Sequence, residues 1–248
     1  MGRTHEALER AGRKFRKHKQ GLNTDFKKSP AAKRLGLFYS HKPSYSYQEI
    51  KTKLITRFPD SPIKTIMITG TARECGASST AVGFAATLAS DNESRVLLVD
   101  ANLRFPGLYN FFSIKRGKGL SSLFSTNPKA ILPLRAAGND NLYLIPSGDG
   151  KAGAMTFFES DRFDVILMKL KEKFDYIILD VPPVIGYDEP KVIGGKTDGV
   201  ILVTHSGKTR QPVAIRAKKE LTESGAKILG VVLNRKKNYI PGWIYRRL

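Results

Sequence analysis

The chain has 248 residues, of which 41% are hydrophobic, enough for one large α/β domain with a buried core and too many for a disordered chain. No run of about 18 apolar residues is present, so no membrane-spanning helix is expected. The single cysteine, Cys75, excludes an internal disulfide or a cysteine-based metal cluster and fits a reducing cytoplasm.

The formal net charge of +20 is concentrated at the two ends. Residues 1–45 carry twelve Lys or Arg against three acids, and residues 235–248 carry five with no acid. Basic ends suit an anionic partner, whether lipid head groups, nucleic acid or an acidic protein, or else a solvated tail. The opening MGRTHEALERAGRKFRKHKQ has no apolar stretch and is not expected to act as a secretory signal. Residues 1–45 read as a basic arm, with a short helix over Glu6–Lys19 and a linker broken by Pro30 and Pro43. Residues 46–238 read as the folded domain and 239–248 as a basic, aromatic tail. His5, His18, His41 and His205 show no metal-ligand spacing.

Within the domain a helix is predicted over Ser46–Phe58, ended by Pro59–Pro62. Strands are predicted at Thr65–Thr69, Val96–Asp100, Leu142–Pro146, Tyr176–Asp180, Gly199–Thr204 and Ile228–Asn234. Helices fit at Ser78–Ala89, Arg162–Lys173 and Gln211–Ser224. Near-continuous apolar strands alternating with amphipathic helices imply an α/β fold: a mostly parallel sheet with helices on both faces. Ligands of such sheets sit beyond the C-terminal strand ends, and three residue sets fall there.

The first set is the small-residue loop from Gly70 to Thr80, which leads from a strand into a helix. It suits a phosphate cradled by backbone N–H groups, and equally an ordinary turn with Ser78 as N-cap. The second set is Asp100-Ala-Asn102-Leu-Arg104. Its acid could hold Mg²⁺ or orient a nucleophile, and Arg104 could neutralise phosphate or pair with Asp100. The third is Asp180-Val-Pro182-Pro183, a second acid followed by a forced extended turn. Two strand-end acids beside a Ser/Thr-rich loop point to a nucleotide site.

From about Ser46 to Asn238 the sequence resembles the bacterial tyrosine kinases of capsule and exopolysaccharide export. These are P-loop NTPases related to the septum- and plasmid-positioning ATPases. The resemblance lies in the loop into Ser78-Ser-Thr80, in Val-Leu-Leu-Val-Asp100-Ala-Asn-Leu-Arg104-Phe-Pro and in Gly119-Leu-Ser. It continues through Tyr176-Ile-Ile-Leu-Asp180-Val-Pro-Pro, Thr197-Asp-Gly-Val-Ile-Leu-Val and Gly225-Ala-Lys-Ile-Leu-Gly-Val-Val-Leu-Asn234-Arg. The opening Gly2-Arg-Thr-His-Glu-Ala-Leu-Glu-Arg-Ala is similar to exopolysaccharide-locus members. The resemblance implies ATP or ADP with Mg²⁺, its phosphates cradled by Gly76, Ala77, Ser78 and Ser79. It implies Mg²⁺ on Ser78, Asp100 and Asp180, catalysis by Asp100, Asp180 and Arg104, and Asn234 near the base. It also implies a membrane-anchored polysaccharide co-polymerase of the chain-length-determinant type as partner, and a cytoplasmic protein peripheral to the inner membrane. The family forms rings through a charged helix before the first strand, which Glu49, Lys51 and Lys53 loosely echo, so a homo-oligomer is a further expectation.

Three positions depart from the family pattern. Its loop ends Gly-Lys-Ser/Thr; here it reads Gly76-Ala77-Ser78, without the lysine that reaches the β- and γ-phosphates. Glu74 stands where the family has glycine and brings a negative charge towards the phosphates. Asn102 stands where a second aspartate is usual. Losing one charge-assisted contact weakens binding roughly ten- to a hundredfold. Arg73 is a candidate substitute cation, although its fork is not a lysine's point charge. The tail offers only Tyr239 and Tyr245 in place of a tyrosine cluster. Cys75 reads either as a small residue that fits the loop or as a reactive thiol near a helix N-terminus.

Three functions compete. The first is a non-catalytic or weakly active regulator docked on the co-polymerase, and the second a working tyrosine autokinase. The third is a positioning ATPase holding membrane or DNA by its basic ends. Nucleic acid is disfavoured because no groove-reading motif is visible.

Overall fold

The computed structural model describes residues 45–59, 63–90, 93–112, 114, 117–124, 135–136, 141–150 and 153–236. The predicted arm helix, its linker and the 239–248 tail lie outside the described residues.

The sheet order is β3-β4-β2-β5-β1-β6-β7. The six strands β1 (Thr65–Gly70), β2 (Val96–Asp100), β4 (Leu142–Ile145), β5 (Tyr176–Asp180), β6 (Gly199–His205) and β7 (Ile228–Asn234) are parallel. The two-residue β3 (Arg135–Ala136) adds an antiparallel edge to β4. The predicted parallel α/β sheet is therefore present, and each predicted strand lies within a residue of its observed limits.

The apolar runs are explained by burial on both faces. Val96–Asp100 and Thr65–Gly70 are buried at every position. Alternate residues feed two cores. Ile66, Ile68, Val96, Leu98, Ile178, Ile201 and Val203 point to one side, and Met67, Leu97, Val99, Ile177, Leu179, Val200 and Leu202 to the other. The first side is covered by α1 (Tyr45–Arg57) and α2 (Ala77–Ala89). Helix α2 is built of small residues, ASSTAVGFAATLA, and is buried from Thr80 to Ala89, so it lies directly on the sheet. Helix α1 rides on it, the Tyr47 ring seated against the bare Cα of Gly83. Glu49 and Lys53, in the helix that echoes a ring-forming element, pair with each other at 2.6 Å along α1.

The short α3 (Leu108–Phe112), which follows β2, adds Leu108 and Phe112 to this first core. The second side is covered by α4 (Ala154–Glu159), α5 (Asp161–Lys171), α6 (Glu189–Lys196) and α7 (Gln211–Glu223). A 3₁₀ turn at Leu120–Leu123 also packs there. Among the described residues no helix is long and apolar enough to cross a membrane.

One point of this topology sets the site. Strands β1 and β5 are neighbours, but the chain leaves β1 towards β2 and leaves β5 towards β6, in opposite directions along the sheet. That divergence opens a crevice at their C-terminal ends.

Candidate functional site

The loop after β1 is anchored on both sides. The Thr71 N–H donates to the Val203 carbonyl at 2.9 Å. The Val184 N–H reaches Gly70 O at 2.9 Å and the Ile185 N–H reaches Thr71 O at 3.3 Å. Thr69 Oγ1 donates to Pro182 O at 2.5 Å. Pro182 and Pro183 have no N–H of their own, so the segment leaving β5 offers only these few donors, and they go to the loop base.

The loop tip uses two left-handed residues, Glu74 (φ 64°) and Gly76 (φ 86°). Gly76 is the N-cap of α2 and makes no side-chain cap. The turn with Ser78 as N-cap is therefore not what forms. The first-turn N–H groups, which no helix satisfies internally, face the crevice instead. Gly76 is also held by contact: a Cβ there would run into the Asn234 amide. Asn234 Nδ2 donates to Cys75 O at 2.9 Å, so its side chain braces the loop backbone. Cys75 is buried beside Thr71 Oγ1, 3.2 Å away, as a residue that fits the loop.

Asp100 and Asp180 are register partners at the ends of β2 and β5, so both acids meet at the loop. Both are fully buried. Asp100 accepts weak bonds from the Asn102 N–H (3.2 Å) and the Leu108 N–H (3.3 Å). Neither oxygen of Asp180 has a hydrogen-bond partner. The Ser78 hydroxyl stands near enough to ease its charge a little, without making a well-formed bond. Burial raises the proton affinity of both acids. It pushes Asp180 up to about 7 and Asp100 well above the carboxylate range, where the neighbouring Asp180 charge adds to the effect.

Two charged residues behave otherwise than expected. Arg104 does not pair with Asp100; its Nε donates to Glu189 Oε1 at 2.6 Å and its guanidinium lies over Tyr187. Glu74 turns its carboxylate outwards to Lys208, 3.4 Å away and exposed, rather than towards the phosphate position. Residues that sequence reasoning missed are Phe105, Arg235 and Glu189. Phe105 was visible in the Arg104-Phe-Pro run, but Glu189 is 85 positions from its partner.

The cleft at the loop measures about 250 Å³ and is lined by residues 70, 72–79, 102, 105, 181, 183 and 235. A larger cleft of about 650 Å³ lies between α1 and β7. The smaller cleft holds Ser78 and the start of α2, beside the strand ends that carry Asp100 and Asp180, so the candidate chemistry belongs there. Among the described residues no three His, Cys, Asp or Glu gather as a metal site. The candidate set of two carboxylates and the Ser78 hydroxyl matches Mg²⁺, which is usually held by one or two carboxylates together with phosphate and water. The unpartnered oxygens of Asp180 and the uncapped helix N-terminus fit a metal-phosphate group. The uncharged Ala77 is the one element that does not contribute.

Fold and site together define an α/β domain of the P-loop NTPase class. No family model matches the chain. It is 29% identical over 194 residues to the tyrosine-protein kinase YwqD of Bacillus subtilis (strain 168), covering 78% of this chain and 81% of that protein. Among solved structures the chimerical protein CapA2B2 superposes with a TM-score of 0.74 at 23% identity, over 89% of this chain and all of that one. The septum site-determining protein MinD of Pyrococcus horikoshii OT3, complexed with Mg-ADP, gives 0.59 at 19% over 74% and 76%. The chain is a relative of the bacterial tyrosine kinases.

Proposed function

We propose that this chain is an exopolysaccharide or capsule biosynthesis protein of the bacterial tyrosine kinase type. In this reading it works as a weakly active or non-catalytic regulator that docks on a membrane-anchored polysaccharide co-polymerase at the inner membrane face. The observation that carries the proposal is Ala77. The loop, Ser78 and both acids are assembled, but the position next to Ser78 has no cation for the β- and γ-phosphates.

Ser78 and Asp180 would hold Mg²⁺, which supplies charge neutralisation on the phosphates when bound. Asp100 would take a proton from a tyrosyl hydroxyl only as the carboxylate. Burial and the neighbouring Asp180 charge raise its proton affinity above the ordinary carboxylate range, which works against that form. The missing loop cation favours low turnover. An autokinase is the second reading, favoured by the intact Ser78, Asp100 and Asp180.

The test is incubation of the purified chain with Mg-ATP, followed by an anti-phosphotyrosine blot beside a working relative. Faint or absent phosphotyrosine is expected. Labelling as strong as the relative's would overturn the regulator reading in favour of the autokinase.

A further inference from the structure

The cleft has cations on its walls, even though residue 77 carries none. Arg73 stands on the loop tip with its guanidinium carbon 4.0 Å above the centre of the Phe105 ring, and both residues line the cleft. Phe105 is fixed in turn. Its N–H donates to Asn102 Oδ1 at 3.1 Å, and its ring meets Tyr187 edge-on at 5.9 Å. Arg104, held by Glu189, covers the other part of that pair by lying over Tyr187. Arg235 also lines the cleft, its backbone N–H donating to Asn234 Oδ1 at 2.8 Å. Two arginines thus line the same cleft as the uncapped N-terminus of α2. Asp180, fully buried with both oxygens unpartnered, lies next to Ser78, and Ser78 lines this cleft.

We infer that Arg73 and Arg235 form a clamp for the phosphates of a nucleoside di- or triphosphate, supplying the positive charge that residue 77 does not. The inference rests on the reading of the loop as a phosphate loop. Arginine presents its donors in a planar fork suited to phosphate oxygens, and the Phe105 platform limits the freedom Arg73 loses on binding. Asn102 gains a purpose here: its carbonyl oxygen holds the platform in place. Arg104, in this arrangement, is a positioning residue that braces Tyr187 beneath Phe105.

The test is calorimetric titration of the full chain with Mg-ADP and, separately, with magnesium pyrophosphate. Wild type should bind both. Arg73→Ala and Arg235→Ala should each weaken both by about tenfold, and the double variant by about a hundredfold. Arg73→Lys should lose less than Arg73→Ala. Both arginines are exposed, so the unliganded variants should melt with wild type, and binding by wild type should weaken steeply with added salt. The clamp is overturned by any of three results: wild type binds neither probe at millimolar concentration, both single variants bind as wild type does, or the loss appears for Mg-ADP but not for pyrophosphate. Strong phosphotyrosine labelling would overturn the regulator reading alone and leave the clamp standing.

Discussion

Asp180→Asn isolates the cost of an unpartnered buried acid. In the unfolded chain the carboxyl titrates near 3.8, and in the fold it is pushed up to about 7. Each pH unit of difference corresponds to about 1.4 kcal/mol, so the ionised form costs the fold about 4 kcal/mol. Between these two values the folded chain holds a proton that the unfolded chain has released. Folding stability therefore falls as pH rises through that window, and the penalty is fully present only above about pH 7. Asparagine cannot ionise, and it also removes the charge that raises Asp100. Urea unfolding of both proteins from about pH 4 to pH 8 reads the difference. The variant should be more stable by about 4 kcal/mol at the alkaline end, with the gap closing towards pH 4. Millimolar Mg²⁺ with nucleotide should narrow the gap at pH 8 by stabilising wild type more than the variant. A gap that is constant across the range, or that widens on acidification, would refute the assignment of Asp180 as a buried, raised carboxyl.

Four further expectations concern the loop, its surroundings and the basic ends. Glu74 holds a left-handed φ at an exposed site, so Glu74→Gly should raise stability by about 1 kcal/mol in thermal or urea unfolding. Ala77→Lys should tighten Mg-ATP binding about tenfold by calorimetry; no gain would mean the cleft is closed by something other than charge. Gly83→Ala should drive a methyl into the Tyr47 ring and lower stability by about 1–3 kcal/mol, an effect that shrinks in a Tyr47→Ala background. The basic ends should give salt-sensitive co-sedimentation with anionic vesicles, about 1 kcal/mol for each well-placed cation; equal binding to neutral vesicles would remove the membrane part of the proposal.

The strands were legible because their burial leaves an unmistakable trace: Val-Leu-Leu-Val and Tyr-Ile-Ile-Leu are apolar on both faces and end on an acid. The short elements were not. Helix α3 has five residues and α4 six, too few for a period to show. Helix α6 reads EPKVIGGK, a poor helix by propensity. It forms because its glycines are wanted for packing: a Cβ on Gly194 would press on Ala226 and Met67. At the site, both acids could be placed from their strand ends alone. The orientation of charged side chains could not. Arg104 chose Glu189, and Glu74 chose Lys208, each partner distant in sequence and brought close only by the folded loops. The bond from Asn234 to the Cys75 carbonyl, 159 positions away, could not be read from the sequence either.

The anchoring of the loop base separates two layers of durability within ten residues. The amides of Thr71, Val181 and Val184 are bonded to the backbone of neighbouring segments, so in hydrogen exchange they belong with the slowest part of the sheet. The tip from Ala72 to Glu74 is exposed, and Ala77 only half-buried, beyond that foundation. Side-chain chemistry at the tip can therefore be rewritten while the foundation keeps its shape. A loop built in this way can change a side chain at its tip with little disturbance to the fold, and alanine at residue 77 leaves the architecture around it whole.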